Sequence, residues 1–166
     1  MPKVETLLAA GLGLMLVAAC DAQSPLKLQT LKYNELTDAI RRLRGQVVLV
    51  DFWANYCVPC KREFPKLVAL SDKYRGDGLV VVSVSLDDPA EPGAKDKVAK
   101  FLGAQHATGS HVILDEKPAA WQEKLKIDCP PCVYVFNRQG ALEQKFTDQA
   151  VDYAAIEKLV AELLRK

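Results

Sequence analysis

Val50-Asp51-Phe52-Trp53-Ala54-Asn55-Tyr56-Cys57-Val58-Pro59-Cys60-Lys61 is the stretch that decides how this chain folds. It continues an apolar, β-branched run that begins at Val47, the pattern of a strand buried on both faces. Beyond the C-x-x-C pair, Phe64, Leu67, Val68 and Leu70 recur at helical spacing, with Pro65 expected to kink the helix and free a backbone carbonyl. A helix N-terminus carries unpaired N–H groups and partial positive charge. A thiolate at Cys57 is stabilised there, and its pKa is expected below the free value of about 8.5. Cys60, one turn further in, is positioned to attack a mixed disulfide, and Pro59 restricts the ring that a Cys57–Cys60 bond would close. Zinc sites also use C-x-x-C, usually with a second pair. Metal binding and a purely structural disulfide therefore stand beside redox chemistry as readings of this pair.

Working outward, Tyr33 to Leu43 carries Leu36, Ile40 and Leu43 as a short amphipathic helix ended by Gly45. Leu79 to Leu86 reads as a second buried strand, Lys95 to Leu102 as a helix, Val112 to Leu114 as a short strand and Ala119 to Leu125 as a helix. Val133–Phe136 and Leu142–Phe146 flank Asn137-Arg138-Gln139-Gly140, a hairpin turn signal, and Tyr153 to Leu164 closes the chain as a helix. Strands alternating with helices, then a hairpin and a helix, predict an α/β fold with a central mixed β-sheet flanked by helices.

The segment from Val50 to Lys61 resembles the thioredoxin active site, and the continuation Cys60-Lys61-Arg62-Glu63-Phe64-Pro65 is similar to the TlpA/ResA-type branch of exported, membrane-attached thiol–disulfide oxidoreductases. The resemblance runs from about Leu28 to Lys166 and includes Val84-Ser85-Leu86-Asp87 and Val135 to Gly140. It implies a thioredoxin-like fold, with Cys57 as nucleophile, Cys60 as resolving thiol and Asp51 as a buried acid that moves a proton to or from Cys60. A carboxylate in an apolar strand should have a raised pKa, which suits that role; a solvated strand-end aspartate is the alternative. Glu63 is either a second proton-handling acid or a surface helix residue. Trp53 is expected beside the site as part of its substrate-binding surface. Tyr56 and Val58 stand where thioredoxins commonly have tryptophan and glycine, which leaves the redox potential open.

The same resemblance places Pro131 at the family's cis-proline, on the loop that binds substrate backbone. Pro130 precedes it and has no N–H, so substrate binding is expected to lose one backbone donor. Cys129 and Cys132 bracket the two prolines and would bring four thiols to one face. Three readings compete: a second disulfide or redox pair, two independent reduced cysteines in packed positions, or a Cys57/Cys60/Cys129/Cys132 site for zinc or an iron–sulfur cluster. The last is the rival function, a metal-binding protein; the oxidoreductase itself needs no cofactor or metal. His106 and His111 stand at no ligand spacing and read as surface or core residues, as does Trp121.

At the N-terminus, Lys3 and an apolar stretch from Leu7 to Ala19 read as a secretory signal, too short to span a bilayer comfortably. Val17-Ala18-Ala19-Cys20 resembles the bacterial lipobox, with Cys20 as the lipidated residue; an ordinary cleaved signal is the alternative. The expected organisation is a lipoprotein signal peptide at 1–19, an anchor and linker at 20–28 and a thioredoxin-like domain at 29–166. Location is then extracytoplasmic (periplasmic), lipid-anchored to the membrane, where disulfides form. Of 166 residues, 49% are hydrophobic and 26% charged, with a net charge of +1, which fits one globular domain and supplies no footprint for nucleic acid. The best basic cluster, Arg41, Arg42 and Arg44, falls at a helix end. Expected partners are a protein dithiol/disulfide substrate and a membrane electron donor, met by a monomer.

Overall fold

The computed structural model describes residues 26–147 and 151–166, so Cys20 and the leader lie outside the described residues. The elements run β1 (Lys27–Leu31), α1 (Tyr33–Arg41), β2 (Val47–Trp53), α2 (Val58–Tyr74), β3 (Leu79–Ser85), α3 (Ala94–Ala104), β4 (Ser110–Leu114), α4 (Pro118–Leu125), β5 (Cys132–Phe136), β6 (Leu142–Phe146) and α5 (Tyr153–Leu164). They build one six-stranded sheet in the order β1-β4-β3-β2-β5-β6. β1, β4, β3 and β2 are mutually parallel; β5 runs antiparallel to β2, and β6 antiparallel to β5, so that β5 alone opposes the direction of the other strands. This is the central mixed sheet flanked by helices that the sequence pattern predicts.

All seven residues of β2 are buried, as a continuous apolar run requires of a strand with neighbours on both edges and helices on both faces. Its side chains alternate between two layers. Trp53 meets Phe64 of α2 and Phe101 of α3 at ring-centroid distances of 5.4 and 4.7 Å, whereas Phe52 meets Tyr134 of β5 at 5.1 Å on the opposite face. Asp51 therefore leaves the sheet on the Trp53 side. In register with it come Ser83 of β3 and then His111 of β4, a buried polar row beneath α2.

Three boundaries depart from the sequence reading for physical reasons. β1 starts at Lys27, inside the expected linker, because β4 offers it a parallel partner from Ser110 to Leu114. β4 in turn includes Ser110 and His111, polar residues that hydropathy alone leaves out of a strand. α2 runs unbroken from Val58 to Tyr74 through Pro65, which sits on its exposed side. The 137–140 turn is pinned by Arg138, whose guanidinium donates to the carbonyls of Gly45, Asp77 and Leu164 at 3.0, 3.3 and 3.2 Å.

His111 is 5% exposed, and neither ring nitrogen has a well-aligned hydrogen-bond partner. Burial holds its pKa down at about 4, an effect that the nearby Thr108 backbone offsets only in part.

Candidate active site

Cys57 and Cys60 are joined as a disulfide, with Cα atoms 5.3 Å apart. Cys57 is the N-cap of α2, and its Sγ accepts the backbone N–H of Cys60 at 3.2 Å. The capping position thus supplies to sulfur what serine or aspartate oxygen receives at other helix starts. Both cysteines are nearly enclosed, at 6% and 5% exposure, but Tyr56 and Val58 beside them are 65% and 69% exposed. Two large, exposed side chains thus flank the disulfide as an apolar rim.

The loop carrying the disulfide is held from β3. The Asn55 backbone N–H donates to both carboxylate oxygens of Asp87 at 2.9 and 3.2 Å, and the Asn55 side-chain amide donates to one of them at 3.2 Å. Ser85 donates its hydroxyl to the same carboxylate at 2.7 Å. A second tie, from the Leu86 N–H to the Trp53 carbonyl at 2.7 Å, fixes the end of β2. Asp87 reads in the sequence as part of a loop; its role in shaping the site depends on a contact across 32 positions that local pattern cannot reveal.

Asp51 lies behind the site, 4% exposed, and burial raises its pKa from 3.8 to about 7. Tyr153 offsets a smaller part of that rise. Glu63, one turn into α2, is paired with Arg62 at 2.9 Å and with Lys66. Lys66 first and Arg62 second hold its carboxyl below the usual range, so it is anionic near neutrality and poorly matched to carrying a proton.

Trp53, expected at the substrate-binding surface, is fully buried, and its indole N–H donates to Ser83 Oγ at 2.8 Å. It supports the site from beneath and cannot touch a polypeptide. The Pro130–Pro131 bond is cis; Pro131 is half-exposed, whereas the Pro130 ring is buried.

Cys129 and Cys132 are not bonded to each other: Cys129 is exposed and Cys132 is fully buried. Strand register explains the separation. Cys132 pairs opposite Phe52, so its side chain leaves the sheet on the Phe52–Tyr134 face, away from Asp51 and Trp53. The four thiols thus fail to converge, and no group of three or more His, Cys, Asp or Glu side chains among the described residues could hold a metal ion. The shared zinc or iron–sulfur reading is corrected on that ground.

Burial pushes the Cys132 thiol up to about 12, which leaves almost no thiolate near neutrality. Cys129, by contrast, sits close enough to Tyr56 for its charge to bear on the phenol. Thiol labelling of the oxidised protein, read by peptide mass spectrometry, should modify Cys129 at least ~100-fold faster than Cys132, which reacts only once the fold opens. Equal rates would show that the β5 start is not closed.

Residues 45–142 match the family described as thioredoxin-like. Among curated relatives, the protein DipZ of Mycobacterium bovis is 35% identical over 129 residues, which cover 75% of this chain and 18% of DipZ. The thiol–disulfide oxidoreductase ResA of Oceanobacillus iheyensis is 30% identical over 127 residues, covering 76% of this chain and 62% of ResA. The chain thus spans less than two thirds of the length of either. A thiol:disulfide interchange protein of the thioredoxin family from Chlorobium tepidum superposes with a TM-score of 0.60 at 19% identity, over 74% of this chain and 83% of that one, a likeness of fold.

Proposed function

The chain belongs to the thioredoxin-like family, and from that membership and its likeness to ResA we propose that it is a ResA-type, extracytoplasmic thiol–disulfide oxidoreductase that reduces protein disulfides. One observation carries the reading: the Cys57–Cys60 disulfide caps a helix N-terminus, beneath an exposed apolar rim and ahead of a buried acid. In the reduced enzyme the Cys57 thiolate, held by the Cys60 N–H and the helix terminus, attacks one sulfur of a substrate disulfide. The substrate S–S bond breaks, its leaving sulfur takes a proton, and a Cys57–substrate mixed disulfide forms. Cys60 gives its proton to Asp51 and attacks Cys57 Sγ; the second substrate thiol departs and the Cys57–Cys60 bond closes. Two electrons have passed to the substrate, and a membrane dithiol donor restores the enzyme.

Pro131 lines the substrate-binding loop in this reading, and Pro130, lacking an N–H, leaves the substrate backbone one donor short. Cys129 stands at the rim and Cys132 packs in the core, so a second redox pair is not needed. Anchoring through a lipid on Cys20 after removal of residues 1–19, with 20–28 leading into the domain, would hold the enzyme beside its donor. No described helix is long and apolar enough to cross a membrane, and attachment therefore rests on the sequence of the first twenty residues.

A Cys60→Ser variant expressed with its leader tests the proposal. Non-reducing mass spectrometry of the membrane fraction should find proteins linked to Cys57, and adding Cys20→Ser should move those complexes to the soluble fraction. Absence of any Cys57-linked protein would sink the reductase reading; complexes that stay on the membrane without Cys20 would sink the anchor.

A further inference from the structure

Three helix ends meet at the end of the sheet opposite the disulfide. Arg138, in the turn between β5 and β6, donates to the carbonyls of Gly45 after α1, Asp77 after α2 and Leu164 at the end of α5. Its own carbonyl accepts the Gly45 N–H at 2.7 Å, and the Val47 N–H donates to the Gly78 carbonyl at 3.1 Å, so the cluster sits where β2 begins. Cys57 lies beyond the other end of the same strand, whose seven residues span roughly 20 Å.

A cation in the last turn of a helix is commonplace, because it complements the helix dipole. Here three such ends are drawn together. Arg41, Arg42 and Arg44 close α1, Arg75 follows α2, and Arg165 and Lys166 follow α5; all are exposed. Arg41 and Arg75 are paired with Asp38 and Asp72. Arg42, Arg44, Arg165 and Lys166 form no ion pair among the described residues, and against them stand only Asp77 and Glu162. The net charge of +1 conceals this surplus. At the disulfide end, the loops after β3 and β4 carry Asp87, Asp88, Glu91, Asp115 and Glu116, only three of which are paired, with Lys117, Lys32 and Lys124. The two ends, ~20 Å apart, are separated by more than twice the Debye length of about 8 Å, so a charged surface meets each end by itself.

The chain also enters the domain from the basic end. β1 is parallel to β2, and its Lys27 lies level with Ser110, Val82 and Val50. The steps from Cys20 to Lys27, at about 3.6 Å each, reach no further than roughly 25 Å. We propose that the basic end is a docking surface for anionic lipid headgroups, which seats the domain on the bilayer through Arg42, Arg44, Arg165 and Lys166 and points Cys57 away from it. Delivery to the membrane rests on the Cys20 anchor of the reading above; the choice of face rests on the charges. So short a tether keeps these cations close to the headgroups, where each adds to the attraction. An electron donor must then present its dithiol ~20 Å or more above the headgroups, on a domain that projects from the membrane.

The protein, expressed with its leader and purified from membranes, is reconstituted in its oxidised form. The vesicles are phosphatidylcholine alone, or phosphatidylcholine and phosphatidylglycerol in equal parts. A fluorophore is carried by the exposed Cys129 at the disulfide rim or, with Cys129→Ser, by Gln139→Cys in the basic turn. Quenching by a spin-labelled headgroup reports how near each lies to the bilayer. In anionic vesicles the Gln139→Cys label should be quenched at least ~3-fold more than the Cys129 label, and in neutral vesicles the two should be nearly alike. Salt near 1 M, which cuts the screening length to about 3 Å, should remove the preference. Arg42→Glu with Arg165→Glu should remove it too, with insulin reduction in detergent unchanged as the sign that the fold is kept. Equal quenching of both labels in anionic vesicles overturns the proposal, as does a preference that survives either the salt or the charge reversal. Protein that stays off neutral vesicles yet meets anionic ones by the Gln139→Cys side sinks the Cys20 anchor and supports the docking face.

Discussion

Cys57→Ser brings disulfide reduction down at least ~1000-fold, to the rate of the chemical reductant alone, while the fold and its thermal unfolding remain those of the reduced parent. The size of the effect follows from what is lost. A serine hydroxyl at the α2 N-cap still accepts the Cys60 N–H, so the helix start is kept, but at neutral pH it offers neither a thiolate nor a sulfur for exchange. Cys60 does not substitute, because it lies inside the first turn of α2, whereas Cys57 is the N-cap whose sulfur receives a backbone N–H. Insulin turbidity under a fixed dithiothreitol concentration measures the rate. Residual activity within tenfold of the parent would mean that another thiol attacks substrate; Cys129, exposed next to Tyr56, would be the first to test.

Asp51→Asn stabilises the oxidised protein above pH 7 by up to about 4 kcal/mol, taking 1.36 kcal/mol for each pKa unit. The folded carboxyl keeps its proton up to about pH 7, whereas the unfolded one loses it near 3.8. Between those values the unfolded state binds fewer protons, so stability falls as pH rises through the window. Asparagine carries no such cost. His111 acts in the opposite direction: folded it titrates at about 4, unfolded at 6.5, and stability falls as pH drops between them, by at most about 3 kcal/mol.

In the parent the two slopes oppose each other over much of the same range. Removing the carboxyl therefore uncovers the histidine, and Asp51→Asn should lose stability steeply from pH 6.5 to 4. Guanidinium unfolding at fixed pH steps, with the disulfide intact, gives both slopes. If the difference between variant and parent does not grow as pH rises from 4 to 7, Asp51 is not buried as described. The same variant should resolve mixed disulfides roughly 10–100-fold more slowly near neutrality, which separates its role in proton transfer from its cost in stability.

The parts of the site that were legible in the chain are those in which local pattern and chemistry coincide. Val47 to Trp53 could only be a buried strand, and α5 spans Tyr153 to Leu164, the bounds that its apolar spacing predicts. The cysteine pair at the strand–helix junction announced its chemistry, because a helix N-terminus has the same unpaired N–H groups in any fold. What stayed hidden depended on partners far along the chain. Asp87 ties down Asn55, and the strand status of Ser110 and His111 rests on pairing with β1 and β3.

By itself, then, the sequence determined the order of elements and the redox pair, since these rest on periodicity and covalent spacing; that Asp51 is buried rather than solvated came from the tertiary structure. The tertiary structure alone decided which way Trp53 and Cys132 point. A strand sends alternate side chains to opposite faces, and only the pairing of β2 with β5 says which face holds the active site. That one register buries Trp53 beneath the disulfide, turns Cys132 to the far side of the sheet and leaves Cys57 and Cys60 as the single reactive pair among the described residues.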